Sequence, residues 1–124
     1  MNRPQILRLA QGFLCAYPVA LPAAFLLAWS AGRFTLGWWP RPSLDDPKDI
    51  GLAVDIACWI AALLLILGLP TFVATAGTLA VDAILPGNRS LRRLLLVVAA
   101  TVAMVGAVLV IRADPFGITS WFFD

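Results

Sequence analysis

Neither histidine nor glutamate occurs in this chain, lysine and tyrosine occur once each, and the two cysteines, Cys15 and Cys58, form no CxxC pair. Without histidine the sequence lacks the usual haem, chlorophyll and zinc ligand and the usual general base, and without glutamate it lacks the embedded acid of many proton-coupled carriers. No serine has a base to activate it, and no glycine-rich phosphate loop is visible. Both cysteines lie within apolar runs, where a free thiol behaves as a small hydrophobe. These absences argue against an enzyme, a side-chain-ligated cofactor and a redox centre. Charge is sparse as well: 13% of residues are charged and the net charge is +2, with no basic run interleaved with aromatics, so nucleic acid is set aside as a partner.

What the chain does have is apolar surface. It is 61% hydrophobic over 124 residues, with a mean hydropathy of +0.91. A soluble domain of this size buries only about 60–70% of its unfolded surface. The excess has to face lipid or other apolar protein. The sequence reads as one all-α integral membrane domain, residues 1–124, with three transmembrane helices at about 5–30, 47–85 and 91–111 and an interfacial C-terminal tail.

The first run follows Arg3 and Pro4 and continues to Trp29, too long for the ~7–15-residue core of a signal peptide. Pro18 and Pro22 inside it are expected to kink a span packed against protein. A connector from Gly32 to Ile50 carries Trp38, Trp39 and several prolines. Asp46-Pro47 then reads as N-cap and first helical position, with Asp49 in the first turn. The run from Pro47 to Leu85 would measure about 58 Å as helix, nearly twice a ~30 Å hydrocarbon core. One long tilted helix, kinked at Gly68-Leu69-Pro70, is expected, and it is expected to organise the other two. Pro86-Gly87-Asn88 makes a turn, Asn88 or Ser90 caps the third helix, and Arg112 closes it.

Three spans place Arg3, Arg8, Arg89, Arg92 and Arg93 on one side and Arg33, Arg41, Lys48 and Arg112 on the other. That bias favours a cytoplasmic N-terminus and an outside C-terminus. The arginine-rich, alanine-rich composition points to a bacterial inner membrane. Trp29, Trp38, Trp39 and Trp121 are the expected interfacial anchors, with Trp59 on the same side.

Asp55 and Asp82 are the acids within the second span, and an embedded acid marks either an ion pair or a functional site. Asp82 is expected to pair with Arg89, Arg92 or Arg93. Asp55, with Cys58 and Trp59 a turn on, is expected to meet Arg33, Arg112 or a residue of another subunit, or else to serve as a proton or cation site. Thr71, Thr75, Thr78 and Asp82 share one helical face, where the hydroxyls either bond back to their own helix or line a polar path. Ala99, Ala103 and Ala107 beside Gly106 form a small-residue ridge, expected to pack on the second span or on a subunit.

The expected function is that of a non-catalytic accessory subunit of a larger membrane complex, energy-transducing complexes among the candidates, stabilising or sealing its core. Its partners would be other membrane subunits and the bilayer. Contact with a lipid, quinone or pigment stays open. The alternative is a small homo-oligomeric transporter or channel using Asp55 and the Thr71/Thr75/Thr78 stripe, and a transient assembly or immunity factor would look the same in sequence.

Overall fold

The computed structural model describes residues 3–85 and 90–123. The regular structure among the described residues is all helical, with no strand, in the order α1 (Arg3–Leu36), α2 (Pro47–Ile50), α3 (Leu52–Leu63), a π-helical turn (Leu64–Gly68), α4 (Leu69–Ile84), α5 (Leu91–Ala113) and α6 (Ile118–Phe122). Three continuous runs are long and apolar enough to cross a membrane: Arg3–Leu36, Leu52–Ile84 and Leu91–Ala113. The chain is an all-α, multi-pass membrane protein. The turn at Pro86-Gly87-Asn88, the alternative cap Asn88 and the basic residue Arg89 lie outside the described residues.

Three boundaries differ from the sequence reading, each for a local reason. The first helix runs past Trp29 to Leu36, because Gly32 is buried within it against Pro40 and Trp121 and the chain breaks only at Gly37. That glycine takes φ +83°, and its N–H reaches the Arg33 carbonyl at 3.0 Å, an αL helix stop. The second span does not start at Pro47. Asp46 does cap a helix there, accepting the Lys48 N–H at 2.9 Å, but that helix is a single turn. Gly51 at φ +145° breaks the chain, a conformation only glycine adopts at little cost, and α3 begins at Leu52. The third helix is capped by Ser90, whose Oγ accepts the Arg93 N–H at 3.4 Å.

The expected kink near Pro70 is a π turn. The proline ring collides with the carbonyl one turn back, and widening the preceding turn relieves the collision without ending the helix. The only tyrosine completes this arrangement from α1: the Tyr17 hydroxyl donates to the Leu64 carbonyl at 2.7 Å. A Cβ at Gly68 would run into the Tyr17 ring, so glycine is what lets the two spans meet here. Phe13 and Phe72 hold the same ring, with centroids 5.4 and 5.7 Å away. Leu14, Leu21, Phe25, Leu79, Val97 and Met104 extend this core along the bundle.

The organising helix is therefore α1, not the second span. In its most apolar stretch 39% of residues are buried, against 11% for Leu52–Ile84 and 17% for Leu91–Ala113. Helix α1 packs on α3, α4 and α5, and α4 closes against α5. Pro18 is buried in that contact and α1 continues through both prolines, a proline-containing span supported by its neighbours.

The tail packs back onto one end of the bundle. Trp121 is fully buried with Ala28 and Val54, and its indole N–H donates to the Asp45 carbonyl at 2.7 Å. The Asp45 carboxylate in turn accepts the Arg41 N–H at 3.0 Å and the Trp38 indole at 3.4 Å, so connector and tail form one cap over this end of the bundle.

Asp114 fixes the tail's path. It takes an αL conformation at the end of α5, and its carboxylate accepts the N–H groups of Thr119 and Ser120 at 2.8 Å each and the Ser120 hydroxyl at 2.6 Å. Burial favours its neutral form, but the bonds from Ser120 and Thr119 outweigh this and hold the carboxyl below its ordinary 3.8. A depressed pKa means that the ionised form stabilises the tail above about pH 3.8, and that this support is lost as pH falls through the lower folded value. Amide protection of Thr119 and Ser120 is accordingly expected to drop in that acid range. Hydrogen exchange on Asp114→Asn should show reduced protection with no such acid step.

Candidate functional site

Two sets of contacts bracket the membrane-crossing part of the bundle. At one end Asp82 of α4 joins all three spans, its Oδ1 meeting Arg3 Nη2 of α1 at 2.8 Å and its Oδ2 meeting Arg93 Nη1 of α5 at 2.6 Å. At the other end Val54 of α3 packs against Ala28 of α1 and Trp121 of the tail. Twenty-five residues separate Arg3 from Ala28, about 37 Å of helix, slightly more than a ~30 Å hydrocarbon core. A hydrocarbon core fits between the two brackets, an arginine end and an aromatic end.

This frame places the two acids. Asp82 pairs with Arg93 as expected, and also with Arg3, which the sequence alone did not suggest. Asp55 follows Val54 and so stands at the aromatic end, beside the cap. It is half-buried and has no ion pair among the described residues, so the expected pairing with Arg33 or Arg112 does not form. Arg33 instead lies over the Trp39 ring, 5.6 Å from its centroid. Asp55 shares a shallow pocket with Lys48, Cys58, Trp59 and Phe122. Trp59 is 67% exposed and points away from the bundle.

Most of the threonine stripe also faces outward, with Thr75 half-buried. Thr71 and Thr78 are exposed, and their hydroxyls bond back to the helix, Thr71 to the Leu67 carbonyl at 2.6 Å and Thr78 to the Thr75 carbonyl at 2.9 Å. Thr78 edges an open groove whose other walls are Ala74, Gly77, Val81, Asp82 and Leu85. A Cβ at Gly77 would meet nothing within 4 Å. The ridge on α5 likewise turns away from the second span: Ala99, Ala103 and Gly106 are exposed, while Val97, Ala100 and Met104 face inward.

The aromatic anchors divide. Trp38 and Trp39 are about half exposed, and Trp29 stacks on Trp39 at 4.3 Å, as suits a headgroup-level belt. Trp121 is a correction: wholly buried, it is a core residue of the cap and offers no surface to lipid headgroups. Hydropathy could not separate these cases, because a tryptophan near a helix end satisfies either environment.

Sequence reasoning passed over Tyr17, read Gly68 only as part of the expected kink and Arg3 only as a flanking charge, and passed over Gly77. A solitary tyrosine in an apolar span and a glycine two residues before a helical proline were the available signals for the first two. Both cysteines are free, and no cluster of metal-ligating side chains is found among the described residues. Comparison with known protein families, with curated proteins and with solved structures finds no match, so a functional reading of this chain rests on its own geometry.

Proposed function

We propose that this chain is a non-catalytic accessory subunit of a larger membrane complex, and that the outward face of α3 and α4 is the surface that docks against its partner. One observation supports the reading above the others. The span least covered by its own chain presents small and polar groups outward: Ala74, Gly77 and Thr78 in one groove, and Asp55, which has no ion pair among the described residues, beside Trp59. A face meant only for acyl chains gains nothing from a groove, a carboxylate or hydroxyls. A face meant for another helix gains close approach from the small residues and a salt bridge or hydrogen bond from the acid. The excess of arginines at the N-terminal end favours a cytoplasmic N-terminus in a bacterial plasma membrane.

Filling the groove tests this. Gly77→Leu has room for its side chain in the isolated chain, so the bundle itself should keep its stability. Recovery of the tagged protein within a heteromeric complex, after mild detergent extraction from native membranes, is expected to fall about tenfold, the effect of some 1.4 kcal/mol. Val19→Leu, on the exposed face of α1, should leave recovery unchanged. A chain that purifies alone as a homo-oligomer would overturn the subunit reading in favour of transport, and Asp55→Asn would then be expected to reduce flux in reconstituted vesicles.

A further inference from the structure

At the arginine end, the first turns of α1 and α5 stand apart around a cavity of about 480 Å³. Arg8, Arg92, Arg93, Gln11 and Ser90 form its polar side, and Leu7 and Leu96 supply an apolar wall. The local charge is unbalanced. Arg3, Arg8, Arg92 and Arg93 gather here against the single carboxylate of Asp82, which Arg3 and Arg93 already share. Arg8 and Arg92 have no ion pair among the described residues. Two further features favour an anion. The N-terminus of α5, a 23-residue helix, carries the positive end of its dipole. Ser90 Oγ accepts the Arg93 N–H, which leaves its own hydroxyl proton to donate outward.

We infer that this cavity binds a phosphate-bearing anion, and that the occupant is the headgroup of an anionic phospholipid in the adjacent leaflet. Guanidinium groups match phosphate oxygens with paired N–H donors. The cavity lies at the membrane boundary marked by Asp82, the depth of a lipid phosphate, and Leu7 and Leu96 offer the glycerol and upper acyl chain an apolar surface. Basic recesses between membrane helices recognise lipid headgroups in this manner. Soluble phosphate shares the charge but would leave that wall unused. The inference does not depend on the docking role proposed for α3 and α4.

Native mass spectrometry of the purified full chain in detergent, titrated with phosphatidylglycerol or phosphatidylcholine, tests the site. One phosphatidylglycerol per chain should bind preferentially. Arg8→Gln with Arg92→Gln should weaken it about thirtyfold, taking each arginine at its usual contribution beside anionic lipid. The control, Lys48→Gln with Arg112→Gln, removes equal charge elsewhere and should retain binding. Inorganic phosphate in millimolar excess should not displace the lipid; displacement at comparable affinity would overturn the lipid assignment in favour of a soluble phosphate ligand. Equal binding of both lipids, or undiminished binding by the Arg8/Arg92 variant, would overturn the site itself.

Discussion

Gly68→Ala is expected to destabilise the bundle by about 1–3 kcal/mol, the usual cost of forcing atoms into a filled core. The added Cβ would lie 2.8 Å from both Tyr17 Cζ and Tyr17 Oη, well inside contact distance. The ring has no free direction in which to retreat. It is 2% exposed, Phe13 and Phe72 flank it, and its hydroxyl is tied to the Leu64 carbonyl. The sign makes this prediction informative. In an open helix the same change would stabilise by roughly 1 kcal/mol, because alanine is the better helix former. Tyr17→Phe should cost only about 1 kcal/mol, the value of the lost hydrogen bond, and Gly68→Ala combined with Tyr17→Leu should recover part of the single-variant loss, because the collision partner is gone. Unfolding of the three variants in mixed detergent micelles measures these differences. A Gly68→Ala protein as stable as the parent would mean that α1 and the π turn do not approach as described.

Trp121→Ala should have an effect of similar or larger size, confined to one end. Truncating a fully buried aromatic costs about 3–5 kcal/mol. This one also leaves the Asp45 carbonyl without its indole donor. Helices α1, α4 and α5 keep their contacts nearer the arginine end, so the loss should appear as local release of the cap and not as unfolding of the spans. Hydrogen exchange should show lost protection from about residue 114 to 123 and in the connector around Asp45, with little change at Tyr17, Phe72 or Val97. Trp121→Phe should fall between, because it keeps most of the apolar contact and loses the hydrogen bond. Uniform loss of protection throughout the chain would contradict the separation of cap from bundle.

How far the sequence could be read depended on which physical signal each feature leaves. Run length and hydropathy located all three spans, and the capping chemistry of Asp46-Pro47 and Ser90 marked two helix starts. The break at Gly51 left no trace, because Ile50 and Leu52 continue the apolar pattern across it. The extension of α1 to Leu36 was hidden by a connector that reads as polar and proline-rich from Gly32 on, although the helix stops only where Gly37 takes positive φ. Which face of each helix turns inward was the least legible property. Lipid is as apolar as a protein core, so Ala99 and Ala100 look alike in sequence although one faces out and the other in. For the same reason the second span looked like the organiser, while α1 occupies the interior. Of the candidate site, the membership of the Thr71–Asp82 face was readable from helical spacing, whereas its outward direction, the isolation of Asp55 from Arg33 and Arg112, and the meeting of Tyr17 with Gly68 required the packing of one span on another.

The central claim, that the outward face of α3 and α4 meets another protein, is tested most directly by photo-cross-linking in native membranes. A photoreactive amino acid would be placed in turn at Ala74 and Val81 in the groove, and at Val19 on the exposed face of α1 as the lipid-facing reference. The account predicts adducts from Ala74 and Val81 to the same second polypeptide, different from this chain, and none from Val19. Adducts only to another copy of this chain, or none from either groove position, would contradict it.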